Sequence, residues 1–203
     1  DLEEGTSRVL DRSEHYRIRG IAWSPDGRWL AYGFPYTSQK TAIKLCNLES
    51  GETHFATEPV LQDVSPAFDP EGKYLYFLGY RTLNPVYDNL QFDLSFPRGV
   101  KPYAIMLRRD LRSPFIPEPK APGDKEKDKD KEKEDAAKKS QDNIEDASQK
   151  EDEEKDEKEE TTKKSPAMVI DLEGITSRAV PFPVSEGRYR LIRGIKGKAL
   201  FLG

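Results

Sequence analysis

"WSPDGRWLAY", Trp23 to Tyr32, returns in altered form as "FDPEGKYLYF", Phe68 to Phe77, and Phe68 stands 45 positions after Trp23. Pro and Gly keep their places, Pro25 and Gly27 becoming Pro70 and Gly72, while the residues around them are exchanged. Each kept residue has a physical task in a tight turn. Pro pre-sets φ for the first central position, and Gly accepts φ > 0 where a Cβ would clash. Asp26 and Glu71 fill a position that tolerates either. What repeats is therefore a turn geometry, one that closes a β-hairpin with a bulge. A period of about 40 to 45 residues is the spacing of four-stranded propeller blades.

The text on either side reads as strand. "IRGIAW" (Ile18 to Trp23) precedes the first turn, and "RWLAYGF" and "KYLYFLGY" follow the two turns as nearly unbroken apolar and aromatic runs. A sheet with one wet face alternates apolar with polar residues, so these runs call for cover on both faces, as in small sheets stacked around an axis. "AIKLCNLESGETHFAT" adds two strands, Ala42 to Leu48 and Glu52 to Thr57, around a turn at Glu49-Ser50-Gly51. Four strands per period make one blade. A weaker echo, "MVIDLEGITSRAVPFP" (Met168 to Pro183), follows the pattern of "IKLCNLESGETHFATEP", with Asp171-Leu172-Glu173-Gly174 standing for Asn47-Leu48-Glu49-Ser50. "GRYRLIRGIKGKALFLG" then reads as two more strands turning at Gly197-Lys198. The expected fold is all-β, a partial β-propeller of four-stranded antiparallel blades, roughly three blades' worth. The chain would stop with bare sheet edges.

Charge divides the chain. Residues 124–164 hold 18 acidic and 12 basic side chains, a net of −6, against −4 for all 203 residues, so the remainder carries +2. The charged stretch has one Ile and no aromatic residue. It has too little apolar surface to offset the entropy of ordering, and reads as a long disordered Lys/Glu/Asp-rich insertion. A single charged helix held by pairs four apart is the other reading. The resulting organisation is 1–119 propeller blades, 120–165 insertion, and 166–203 continuation of the propeller with an incomplete third blade. The insertion falls between "KPYAIMLRR" and "AMVIDLEGI", two strand-like runs of one blade, so it leaves and returns as a hairpin excursion, with Pro114, Pro117, Pro119 and Pro122 stiffening its exit. Asp1 stands where an initiator Met would, and the chain reads as excised from something longer.

The residues offer little for catalysis. His15 sits in "DRSEHYRIRG" beside Ser13 and upstream of Ser24, but no G-x-S-x-G elbow occurs. His54 falls on the presumed outer strand. Cys46, the single cysteine, lies mid-strand as a small buried hydrophobe and fits a reducing compartment. Two His and one Cys, widely spaced, make no zinc site, and the acidic clusters lack the glycine and offsets of a calcium loop. No phosphate loop, metal site or cofactor site is expected, and no catalytic residue is assigned. Arg108, Arg109 and Arg112 lie beside Asp110 without interleaved aromatics, which argues against nucleic acid. No apolar run reaches the length of a membrane span.

"NPVYDNLQFDLSFPRGVKPYAIMLRRDLRSPFIPEP" (Asn84 to Pro119), with "IDLEGI" (Ile170 to Ile175) after the insertion, goes beyond generic propeller grammar and resembles the propeller region of tricorn-type proteases. "WSPDGRWLAY" alone is shared with TolB-like propellers and prolyl-oligopeptidase relatives. The resemblance implies a cytoplasmic serine peptidase with two propellers, a PDZ-like module and a C-terminal catalytic region. Its propellers would guide or filter peptides and unfolded polypeptides towards an enclosed active site. It also implies a homo-oligomer, a hexamer, and partners in the remaining domains of the parent chain. The catalytic serine and histidine would lie outside this chain. A non-enzymatic TolB-like propeller binding a protein partner is a second reading. A prolyl-oligopeptidase relative, followed by an α/β-hydrolase domain, is a third.

Overall fold

A computed structural model describes residues 5–82, 85–88, 93–95, 99–116 and 168–203. The insertion, expected to be disordered, lies outside the described residues. Among the described residues twelve strands are present: β1 (Arg19–Trp23), β2 (Trp29–Pro35), β3 (Thr41–Asn47), β4 (Thr53–Phe55), β5 (Gln62–Phe68), β6 (Tyr74–Tyr80), β7 (Val86–Asp88), β8 (Asp93–Ser95), β9 (Lys101–Met106), β10 (Ala179–Pro181), β11 (Leu191–Ile195) and β12 (Lys198–Leu202).

The repeated phrase spans the turn and the first part of the second strand of the hairpins β1–β2 and β5–β6, and both close alike. Ser24 N–H donates to the Trp29 carbonyl at 2.9 Å and Gly27 N–H to the Ser24 carbonyl at 3.0 Å; Asp69 and Gly72 repeat both bonds with Tyr74 and Asp69 at 2.9 Å. Gly27 and Gly72 take φ 72 and 69, the left-handed region that the sequence reserves for glycine. Beyond the turns the strands run as two antiparallel meanders, β1-β2-β3-β4 and β5-β6-β9-β10. Among the described residues a single parallel bridge, Thr41 to Gln62, links them along the sheet. β11 and β12 form a separate hairpin, and β7 and β8 another inserted between β6 and β9. The described residues thus hold two complete four-stranded blades and the opening hairpin of a third.

Stacking explains the unbroken apolar runs. Along β2, Trp29 and Ala31 face blade 2 while Leu30, Tyr32 and Phe34 face away; along β6, Leu75 and Phe77 face blade 1 while Tyr74, Tyr76 and Leu78 meet β11 and β12. Alternation is intact, but both faces are covered, so both sets are apolar. The shared core between the blades joins Ile43 and Leu45 of β3 to Tyr103 and Ile105 of β9. The far face of blade 1 is covered by Leu10 and Ile18 of the preceding segment. There Asp11 accepts from Lys44 Nζ at 2.6 Å and from the Tyr32 hydroxyl at 2.7 Å. Lys44 lies 4.1 Å over the Phe34 ring. Burial and the bond to Asp11 push the Tyr32 hydroxyl well above its ordinary range.

One segment differs from its sequence reading. "MVIDL" follows the pattern of a third strand, yet the place beside β6 belongs to β9, whose Tyr103 and Ile105 fill one core and Ala104 the other. Met168 to Leu172 form no strand. A 3-10 helix, Ile175–Arg178, follows, and β10 completes blade 2 against β9.

Candidate functional site

β1 and β5, the first strands of successive blades, break their ladders at matching places. Arg19 pairs with Gly33 and Ala22 with Ala31, leaving Gly20 and Ile21 opposite Tyr32. Val64 pairs with Leu78 and Ala67 with Tyr76, leaving Ser65 and Pro66 opposite Phe77. Two residues opposite one make a β-bulge, which bends the strand and sharpens its twist. Gly20 takes φ 66 and Ser65, 45 positions later, φ 54. For Ser65 that conformation costs on the order of 1 kcal/mol.

The bends frame a notch of about 680 Å³ between the two strands, at the end away from the Pro-Gly turns. Arg17 and Arg19 line one side, Gln62 and Ser65 the other, and Thr37 and Ser38 of the β2–β3 turn close it. Gly33 forms part of its wall, where a Cβ would fall 3.2 Å from the Arg19 carbonyl oxygen.

Behind β5 a buried ion pair fixes the wall. Asp63, 2% exposed, accepts from Arg81 Nε at 2.8 Å and Nη2 at 2.5 Å. The guanidinium lies 5.3 Å from the centres of both the Phe77 and Tyr103 rings. Its bond to Asp63 raises the Arg81 pKa above its ordinary value. Gly79 makes room: a Cβ there would meet Tyr103 at 2.9 Å and Asp63 Oδ1 at 3.1 Å. Such a bidentate pair is rigid but offsets little of its own desolvation, so its contribution is shape.

At the opposite end the chain leaves for the insertion after β9 and returns at Met168. The two stems are tied across this neck. Asp171 N–H donates to the Leu107 carbonyl at 2.9 Å, and Arg109 N–H donates to Asp171 Oδ2 at 2.8 Å. Arg178 donates to the carbonyls of Met106 and Glu173 at 2.9 Å and also to that of Asp171. Arg109 pairs with Glu173. Met168 N–H donates to Asp26 Oδ2 at 2.8 Å, so the returning stem is pinned to the first repeated turn. Burial raises the Asp26 pKa, but bonds from the Ser24 hydroxyl and the N–H groups of Met168 and Arg28 outweigh it and hold the carboxyl below its usual range.

The residues weighed for chemistry are occupied otherwise. The Ser13 hydroxyl donates to the Pro35 carbonyl at 2.7 Å. The Ser24 hydroxyl donates to Asp26 at 2.6 Å and accepts from Trp29 N–H at 2.9 Å. His15 is exposed, and His54 lies on β4, 4.0 Å from Glu52. Cys46 is fully buried, and burial pushes its thiol up. Arg108 pairs with Asp110 at 3.0 Å. Among the described residues, no group of three or more His, Cys, Asp or Glu is placed to hold a metal ion, and no helix is long and apolar enough to cross a membrane. The bulges and the Asp63–Arg81 pair went unread in the sequence. Their signals were present as Gly20 and Ser65 at the repeat spacing, and as one acid inside the run "VLQDVSPAF".

The blades and their bulged first strands define a β-propeller of four-stranded units. The family model for the tricorn protease second β-propeller domain matches residues 1–203, and the chain belongs to that family. It is 37% identical over 202 residues to tricorn protease homolog 1 of Streptomyces coelicolor, covering all of this chain and 16% of that one. It is 33% identical over 202 residues to the tricorn protease homolog of Saccharolobus solfataricus, covering all of this chain and 15% of that one. The crystal structure of the tricorn protease superposes with a TM-score of 0.66 at 26% identity, over 95% of this chain and 15% of that one. The chain thus spans less than a fifth of these proteins.

Proposed function

We propose that this propeller domain serves a tricorn-like serine peptidase, guiding or filtering peptides and unfolded polypeptides towards an active site outside the chain. The observation that carries the reading is the notch between β1 and β5, a polar opening on the strands that face the axis in a propeller. It offers hydrogen-bond donors along an extended path and a wall held rigid by Asp63 and Arg81. Family membership supports the hydrolase activity of the parent, and with it a cytoplasmic location, a homo-oligomer such as a hexamer, and contact with the parent's remaining domains. The propeller's task in this reading is selection.

The test uses the full-length protein with Ser38→Trp, which places an indole in the notch at an exposed position. Hydrolysis of unfolded polypeptides should fall severalfold, while that of short fluorogenic peptides changes little. Equal effects on both would overturn the guiding role, and a full-length protein without peptidase activity would overturn the proposal in favour of a non-enzymatic, partner-binding propeller.

A further inference from the structure

We infer that the notch between β1 and β5 favours peptide segments bearing carboxylates, whether Asp and Glu side chains or a free C-terminus. The inference rests on the proposal that peptides are handled at this face. Arg17 and Arg19 are both exposed and both line the notch, while Ile18 between them packs into the far core of blade 1. With Ile18 turned into the core and both arginines on the lining, the two guanidinium groups share a side. Neither has an acidic partner among the ion pairs of the described residues. Arg28, Arg81, Arg108 and Arg109 are each matched, by Glu49, Asp63, Asp110 and Glu173.

The rest of the lining adds no negative charge: it consists of hydroxyl, amide and apolar groups, with no Asp or Glu. Asp63, the neighbouring acid, faces the other way and is already paired with Arg81. Two unmatched, forked cations a residue apart, beside hydroxyl donors, suit a carboxylate. The bulges help by bending β1 and β5 beside the arginines, which opens the space a second extended chain needs. Because the arginines are exposed, each is worth roughly a threefold change in affinity, and the effect is sensitive to salt.

The experiment is binding to the full-length protein, read by fluorescence anisotropy at low ionic strength. Four labelled, unstructured probes are used: acidic and amidated, neutral and amidated, neutral with a free C-terminus, and basic and amidated. The acidic probe should bind about tenfold tighter than its neutral amidated partner. That preference should collapse in the Arg17→Gln, Arg19→Gln double variant and in about 0.5 M salt, but survive Arg28→Gln, which lies at the turn end. A gain for the free C-terminus adds chain ends to the ligands; without it, the supported class is acidic side chains. Equal binding of all probes, unchanged by the double variant, would overturn the inference and leave peptide guidance standing. Binding by none of the probes would overturn the proposed function beneath it.

Discussion

Gly27 and Gly72 occupy the same place in the repeat but should not tolerate the same substitution equally. Both sit at positive φ, so replacing either with Ala imposes a left-handed conformation costing about 1 kcal/mol. A Cβ on Gly27 meets nothing within 4 Å. One on Gly72 falls 2.9 Å from Met168 Cγ and 3.0 Å from its Sδ, well inside the optimal separation of roughly 3.5–4.0 Å. Met168 is itself packed on the shared core, so moving its side chain aside gives up part of that contact. Overpacking of this kind costs about 1–3 kcal/mol. Gly72→Ala should therefore lose about 2–4 kcal/mol and Gly27→Ala about 1. Ser50→Ala, at ordinary φ on an exposed turn, should stay within about 0.5 kcal/mol. Urea denaturation of the full-length protein, followed by tryptophan fluorescence, measures all three. In a Met168→Ala background the Gly72→Ala loss should fall back to about 1 kcal/mol, because only the backbone strain remains. Equal losses at Gly27 and Gly72, or no relief from Met168→Ala, would refute the reasoning.

Gly194→Ala should destabilise more sharply than Gly197→Ala in thermal unfolding, since a Cβ at Gly194 would run into the Phe68 carbonyl oxygen whereas Gly197 faces open space. Asp26, held below its ordinary pKa, contributes stability that is present above about pH 4 and is lost as pH falls through its depressed value. The gap in urea midpoint between the native protein and Asp26→Asn should accordingly narrow as pH falls below about 5, and a constant gap would show that the carboxylate's charge contributes nothing. Deleting residues 124–164 and joining the ends with a Gly/Ser linker should leave the unfolding midpoint unchanged, because Arg178, Asp171 and Arg109 tie the neck from outside the deleted stretch. The net charge would move from −4 to +2, so reduced solubility with unchanged stability is the expected pattern.

What the sequence determined by itself is whatever depends on neighbours along the chain. Pro25, Gly27, Pro70 and Gly72 declare two identical turns because φ is a local property. The apolar runs of β2 and β6 declare stacked sheets because polar residues drop out of a strand's alternating pattern only when both faces are covered. Tertiary structure decided what depends on partners distant in sequence. "MVIDL" has a strand's composition, but β9 had already filled the place beside β6, and a strand position admits one occupant. Arg178 reads as an ordinary surface cation until the stems on either side of the insertion bring the carbonyls of Met106, Asp171 and Glu173 around it. The notch is of the same kind. Arg17 and Arg19 are separated from Gln62 and Ser65 by a whole blade, and only the stacking of β1 against β5 puts them on one opening.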